Sequence, residues 1–283
     1  MHIDGRVCPP GEAKISVFDR GFLYGDSVYE TVSTMHGRLF ALAAHLDRLE
    51  RSAARIGLRA PPRATIERAI AETAQAAANP ESRVRVMLTR GVGKLDLDPA
   101  TADEPQLIVV VMPFQPLPAA LSEAGASAAI VSVVRNDPRA IDPAIKSGNY
   151  LNNVLALGEA RRQGAHEALL CAADGSVAEG ASSNVFLVKD GEVRTPGLDV
   201  GILDGITRAQ VLALSRANGI PAREARLRPE ELRAADEAFI TSATRGVLPV
   251  TRIDGAAVGE GRPGPITRRL MQLLDQLARD GVA

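Results

Sequence analysis

Ile141-Asp142-Pro143-Ala144-Ile145-Lys146-Ser147-Gly148-Asn149-Tyr150-Leu151-Asn152-Asn153 contains one of only four lysines in the chain, the others being Lys14, Lys94 and Lys189. Every other member of the 33 Lys and Arg residues is arginine. Arginine holds its proton under all ordinary conditions. Lysine can release it and then act as a nucleophile or a base. The residues that follow Lys146, Ser147 to Asn153, carry no charge. Residue type alone leaves two readings open, a solvated loop lysine or a reactive amine. The surrounding chain has to decide between them.

With 283 residues, 46% of them hydrophobic and 24% charged, the composition is that of an ordinary soluble protein of one large or two modest domains. A formal net charge of -1 excludes the basic footprint expected of a nucleic-acid or anionic-membrane binder. The two cysteines, Cys8 and Cys171, are far apart in sequence and lack CxxC spacing, which fits a reducing, cytoplasmic setting. His2, His36, His45 and His166 show no metal-ligand spacing, so no metal is expected. The first residues do not read as a signal peptide. The longest apolar run, Leu107 to Met112, is too short to span a bilayer.

Short strands with tight turns open the chain. Asp4-Gly5 and His36-Gly37 are placed as two-residue hairpin loops. From Val28 to Met35 the residues alternate. Val28, Glu30, Val32 and Thr34 share one face, and Tyr29, Thr31, Ser33 and Met35 the other. Asp19 to Ser27 reads as a packed loop. Leu42, Leu46, Leu49, Ala53 and Ile56 predict a helix over 41–58. At about 100° per residue, His45, Arg48, Ser52 and Arg55 flank its apolar stripe, so Arg48 reaches a buried anion site more readily than Arg51, which points away. A second helix is expected over 65–78, and strands over 84–89 and 107–112. Three prolines in 113–118 mark a boundary between a domain 1–115 and a domain 127–283, with 116–126 as linker. Beyond it the pattern predicts a strand over 128–134 and a helix over 150–163 that offers Leu151, Val154, Leu155 and Leu157 to the core. Strands then resume around Glu179, and a further helix opens at 202–208. Its N-terminal amides suit an anion, although Asp204 as N-cap would take up some of them. Phe239 to Gly246 reads as a strand running into a small-residue turn, and a last helix covers 266–278.

The order of these features is more telling than any one of them. RGFLYGDSVYET, HLDRLERSA, TRGVGKLDLDP, IKSGNYLNN, VAEGASSNVF, GILDGITR, TSATRGVLPV and GEGRPGPITR lie between residues 20 and 268. Together they resemble the class IV (fold type IV) pyridoxal-phosphate aminotransferases, the group of branched-chain aminotransferases, D-amino acid aminotransferases and aminodeoxychorismate lyases. The resemblance implies an α+β, two-domain fold type IV enzyme with a small N-terminal α/β domain and a larger C-terminal domain with a mixed, β-barrel-like core. It also implies pyridoxal 5'-phosphate as cofactor and a homodimer. Lys146 would bond the cofactor and then shuttle the substrate α-proton. Glu179 would pair with the pyridine nitrogen, and Tyr150 would hydrogen-bond the phenolic oxygen. Arg48, the amides of Ile206 and Thr207, and Thr244 would hold the phosphate. Ser182, Ser183 and Leu203 would line the cofactor. The substrate pocket would draw on Tyr24, Tyr29, Ser33, Arg90, Lys94, Ala243 and Arg245.

Substrate choice is where the pattern departs. Branched-chain enzymes often carry Phe-Glu-Gly-x-Arg where this chain has Tyr29-Glu30-Thr31-Val32-Ser33. The Pro-Arg-x-His carboxylate trap of the D-amino acid enzymes is replaced by Gly93-Lys94-Leu95-Asp96. Arg245 stands where branched-chain enzymes use a small residue, so Arg245 or Arg90 is expected to contact the substrate carboxylate. The expected activity is ping-pong transamination between an aliphatic, branched-chain L-amino acid and 2-oxoglutarate. D-amino acid transamination and aminodeoxychorismate cleavage are the alternatives.

Overall fold

Val28, on one face of a strand, is buried among residues of two helices, and a hydrophobic core of the N-terminal part grows from that contact. The computed structural model describes residues 1–3 and 5–281. The chain divides into two units: Met1–Gln115 together with Ile145–Asn149, and Pro116–Ala144 together with the chain from Tyr150 on. Among the described residues no helix is long and apolar enough to cross a membrane.

The first unit contains β1 (His2–Ile3), β2 (Arg6–Val7), α1 (Arg20–Tyr24), β3 (Ser27–Met35), β4 (Arg38–Leu39), α2 (Leu42–Arg55), α3 (Arg63–Ala77), β5 (Ser82–Thr89) and β6 (Gln106–Pro113). Its strands form one antiparallel sheet in the order β2-β1-β6-β5-β3-β4. Leu46, Leu49 and Ala53 of α2 and Ile66 and Ile70 of α3 close over Val28, Val84, Val86, Leu88 and Val109. The turn between β3 and β4 is His36-Gly37, and both residues have positive φ (54° and 75°), the twist that a two-residue hairpin demands. Asp4 of the expected first hairpin lies outside the described residues, although His2 pairs with Val7 as such a loop requires. The stretch read as a packed loop contains the five-residue helix α1. Asp19 starts it by accepting the Gly21 N–H, and Gly25 ends it at φ 68°.

The second unit adds α4 (Ala119–Ala124), β7 (Ala126–Ile130), α5 (Leu151–Arg162), β8 (Glu167–Cys171), β9 (Val177–Gly180), β10 (Asn184–Lys189), β11 (Glu192–Thr195), α6 (Ile206–Ala217), β12 (Ala222–Glu224), α7 (Pro229–Arg233), β13 (Glu237–Ser242), β14 (Gly246–Ile253), β15 (Ala256–Ala257) and α8 (Pro265–Asp280). The segment expected as linker thus carries α4 and the start of β7. The sheet runs β12-β11-β10-β13-β14-β7-β8-β9, with β15 added to β14. It is mixed: β7 lies parallel to both β14 and β8, and β11 parallel to β12. Phe186 and Phe239 face each other across β10 and β13 and stack at 4.7 Å.

Two expectations fail here for physical reasons. The strand predicted to Val134 stops at Ile130 because the Ser132 N–H and hydroxyl turn to the Glu159 carboxylate on α5 instead of a neighbouring strand. On α5 the apolar face expected in the core points outward: Leu151 is 70% exposed, Val154 60% and Leu155 56%. The helix buries Asn153, Ala156 and Ala160 instead. These small side chains let it lie close to the sheet, and Asn153 Nδ2 donates to the Ala181 carbonyl. Leu157 alone of the four leucine and valine residues packs against that cluster.

Candidate active site

Lys146 belongs with the first unit because its backbone extends that unit's sheet. The Tyr29 N–H donates to the Lys146 carbonyl (2.9 Å), and the Gly148 N–H donates to the Ser27 carbonyl (2.9 Å). Val28 and Ser147 form an antiparallel bridge. On the other side the Lys146 N–H reaches Ser52 Oγ of α2 (3.2 Å), and Ile145 packs into the α2–α3 core. Gly148 fits because Ser27 lies against it; a Cβ there would collide with the Ser27 hydroxyl. The lysine is therefore fixed through its main chain, and its amine sits 4.6 Å over the centre of the Tyr29 ring.

A second cation shares that ring. Arg85 of β5, diagonal to Tyr29 across the sheet, places its guanidinium carbon 3.7 Å from the ring centre. Arg85 is half-buried and makes no hydrogen bond or ion pair among the described residues. Ser33 lies on the same face of β3, buried, and its hydroxyl has no partner among the described residues.

The opposite face of β3 meets the flank of α2 that carries His45, Arg48 and Ser52. Glu30 is fully buried there. It accepts Arg48 Nε (2.7 Å) and Nη2 (2.8 Å), and His45 Nδ1 lies 2.6 Å from its second oxygen. Burial alone would raise the Glu30 pKa, but the hydrogen bonds from Arg48 and His45 outweigh it and bring it down to about 2. Burial lowers the pKa of His45, so the imidazole is neutral near pH 7 and donates from Nδ1. Arg48 is thus a buried arginine held in a fixed direction by a carboxylate. Arg51 and Arg55 lie on the exposed side of the helix.

The expectation for Arg90 is corrected. Its Nε and Nη2 grip both oxygens of Asp26, and Nη1 and Nη2 also donate to the carbonyls of Gly57 and Ile56. Arg20 donates to the same aspartate. Burial would raise the Asp26 pKa, yet the bonds from Arg90 and Arg20 hold it below the ordinary value. Arg90 is therefore a fold clamp at the end of β5. Tyr24 lies under the Arg20 guanidinium at 5.0 Å, and Lys94 is exposed on the loop after β5.

In the second unit Glu179 is buried at the end of β9. It accepts Arg135 Nε (2.8 Å), the Leu203 N–H (3.1 Å) and Asn184 Nδ2 (3.4 Å). Asn184 also donates to the Leu203 carbonyl (3.0 Å). Leu203 therefore enters through its backbone. Gly205 is required beside this network, since a Cβ there would strike the Asn184 side chain. Gly205, not Asp204, is the N-cap of α6, and no side chain caps the helix. The leading amides of α6, at Ile206 and buried Thr207, keep their capacity for an anion. Ala243 and Thr244 sit in the turn between β13 and β14. Tyr150 occupies the residue before α5.

Arg245, the other expected carboxylate contact, is also committed. Nη1 binds Glu167 (2.7 Å), Nη2 binds the Ser182 hydroxyl and carbonyl (2.9 and 3.2 Å), and Nε reaches Ser242 Oγ (3.2 Å). Ser183 is buried and donates to Glu167 as well (3.1 Å), whereas Ser182 is exposed. Sequence reasoning missed Glu30, Arg85, Arg135 and Glu167 as members of these networks. Glu30 had a usable signal, an acid between Val28 and Val32 on the core face of an alternating strand.

Each unit carries groups whose chemistry suits a pyridoxal phosphate. The first unit provides an amine stationed through its main chain. The second provides a buried carboxylate paired with arginine for a ring nitrogen, and an uncapped helix N-terminus for a phosphate. A family model described as amino-transferase class IV matches residues 27–253. The chain is 38% identical, over 96% of its length and 94% of the relative's, to a Methanocaldococcus jannaschii protein provisionally named as a branched-chain-amino-acid aminotransferase. It is 36% identical, over 96% and 94% of the two lengths, to a D-alanine aminotransferase of Bacillus licheniformis. Among solved structures, a branched-chain aminotransferase of Thermoproteus uzoniensis with norvaline superposes with a TM-score of 0.91 at 33% identity, covering 98% of this chain and 93% of the other.

Proposed function

The chain belongs to the class IV aminotransferases, and from that membership we propose that this pyridoxal-phosphate-dependent transaminase exchanges the amino group of an aliphatic, branched-chain L-amino acid with 2-oxoglutarate. The observation that carries the substrate reading is Arg85, a cation that has no carboxylate partner among the described residues and shares the Tyr29 ring with the Lys146 amine. In this reading it receives the substrate carboxylate, while Arg90 and Arg245 are turned to Asp26 and Glu167.

When bound, the cofactor supplies an electron sink for the carbanion at the substrate α-carbon. The residues around it orient and protonate. Lys146 Nζ would take the proton from the substrate α-carbon and deliver it to the cofactor's exocyclic carbon, two bonds along. Glu179, which accepts a hydrogen bond from Arg135, would hold a proton on the ring nitrogen. By resemblance to the family, the phosphate would be held by the α6 amides of Ile206 and Thr207, by Thr244 and by Arg48. Glu30 keeps Arg48 aimed while that happens. Tyr150, Ser182 and Ser183 complete the cofactor's surroundings. The pocket walls are Tyr24, Tyr29, Ser33, Lys94 and Ala243.

We also place the enzyme in the cytoplasm as a homodimer. Its free cysteines suit a reducing compartment. Leu151, Val154 and Leu155 on α5, and Val17, Phe18, Phe22, Leu95 and Leu97 in the first unit, leave apolar surface for a second copy. Sedimentation at micromolar concentration reads this directly, and a monomer removes the dimer from the proposal.

The function is tested by single-turnover loss of the cofactor's visible absorption with L-leucine, L-glutamate, D-alanine, D-glutamate and (R)-1-phenylethylamine. L-leucine and L-glutamate are expected to react. Reaction confined to the D-amino acids would replace this reading with the D-specific one that the Bacillus licheniformis relative suggests. In the same assay Arg85→Ala is expected to lose on the order of 100-fold in kcat/KM for L-glutamate. An unchanged value removes Arg85 from carboxylate binding.

A further inference from the structure

Where α3 crosses β1, the turn into β2 and the start of β6, a cavity of about 240 Å³ opens. Every residue lining it belongs to Met1–Gln115, so it is a property of the first unit alone. Its deepest polar member is His2. His2 pairs with Val109, which lies in the core under α2 and α3, so the imidazole is on the helix side of the sheet. Tyr29, with the Lys146 amine over its ring, is on the other side, since it pairs through Met87 with Ile108. Three lining residues carry unused polar groups. His2 is only 5% exposed, and its Nδ1 has no hydrogen-bond partner among the described residues. Buried polar atoms are nearly always paired, because an unpaired one has given up water for nothing. Arg68 and Glu72 are exposed one turn apart on α3, and neither makes an ion pair or hydrogen bond among the described residues. Arginine four residues ahead of glutamate is the less favourable order for a helical pair, so both charges stay open to a third party. Between them and the sheet, Ala69 and Leu107 are buried and Pro105 adds a further apolar wall.

We propose that this cavity is a second binding site, for a free aliphatic α-amino acid. One cation, one anion and an apolar wall in one small cavity match a zwitterion that carries a hydrocarbon side chain. Arg68 takes the carboxylate with its planar fork, and Glu72 takes the ammonium. His2, in the tautomer with its proton on Nδ1, donates to a carboxylate oxygen and is no longer unpaired. The side chain lies against Ala69 and Leu107. A volume of about 240 Å³ is below that of sites for drug-sized molecules and suits a ligand as small as leucine. A nucleotide asks for more room and brings only negative charge, which Glu72 opposes. A simple carboxylate or amine answers only one of the two charges.

The test is calorimetric titration of L-leucine into holoenzyme reduced with borohydride, so that no amino transfer runs during the measurement. The parent is expected to bind L-leucine at a site that Arg68→Gln and Glu72→Gln each weaken about tenfold, the loss of one charge-assisted contact. Both substitutions fall at exposed positions, so the variants keep their fold. 4-Methylpentanoate and 3-methylbutylamine, which each lack one of the two charges, are expected to bind the parent about tenfold more weakly than L-leucine. In the parent, the ¹⁵N resonance of the His2 imidazole is expected to move as L-leucine saturates. Absence of binding heat, an affinity unchanged in either variant, or a His2 resonance that stays in place overturns the proposal. The titration needs no turnover. A failure of the transaminase reading therefore shows in the half-reactions, and a failure of this site shows in the heats.

Discussion

Lys146→Ala is expected to lose transamination by about 10,000-fold or more while the fold stays intact, since both proton transfer and covalent attachment pass through the one amine. The bonds that locate this stretch run through its main chain, from Tyr29 and to Ser52 and Ser27, and they survive removal of the side chain. Thermal melting should therefore shift little. Lys146→Arg is expected to be equally inactive, because a guanidinium cannot release its proton to act as the base. Borohydride reduction followed by peptide mass analysis should fix the cofactor on the Lys146 peptide of the parent and nowhere in the variants. Residual turnover above about 1% in Lys146→Ala would place the base elsewhere.

Glu30 carries the second large effect. Glu30→Ala leaves Arg48 buried without its anion, and the expected loss of stability is about 3–5 kcal/mol. The phosphate grip should weaken with it, read as a raised dissociation constant for the cofactor. The pH dependence has a definite sign. The folded pKa of Glu30 is about 2 against an ordinary 4.5, so its stabilisation is present above 4.5 and is lost as pH falls toward 2. Burial lowers the pKa of His45 from 6.5, so protonating it also favours the unfolded chain, beginning as pH falls below 6.5. The two contributions act in the same direction, and acid destabilises the parent in two overlapping stages. In Glu30→Gln the stage below 4.5 should flatten in urea titrations across pH. A Glu30→Gln protein with the parent's slope between pH 4.5 and 2 would falsify this account of the carboxylate.

Several parts of the site are legible in the amino-acid sequence alone. Alternation from Val28 to Met35 puts Glu30 on the valine face and Tyr29 on the other, and both assignments are realised. Helical spacing puts His45, Arg48 and Ser52 on one flank and turns Arg51 away, but it also expects Arg55 on that flank, and Arg55 is exposed. What spacing cannot say is that this flank and Glu30 meet each other. Arginines are equally ambiguous. Arg85 and Arg90 follow one another closely along the chain and share a residue type, and only the fold decides that Arg90 grips Asp26 while Arg85 lies over the Tyr29 ring. On α5 both faces are apolar, one of alanines and one of larger residues, so periodicity alone cannot choose the buried one.

The stretch from Ile141 to Asn153 shows the same division. The sequence by itself determined the chemistry of this protein: a rare lysine in a motif whose order with the others marks a pyridoxal-phosphate transaminase. It did so because reaction type depends on residue identity, which is local. Tertiary structure alone decided that Ile145 to Asn149 joins the sheet of the first unit, with Lys146 and Gly148 bonded to Tyr29 and Ser27 far back in the chain. It also decided which charges are already spent on Glu30, Asp26 and Glu167. Hydrogen bonds and ion pairs between distant segments leave no periodic trace in either strand or helix, so they become visible only once the chain has folded.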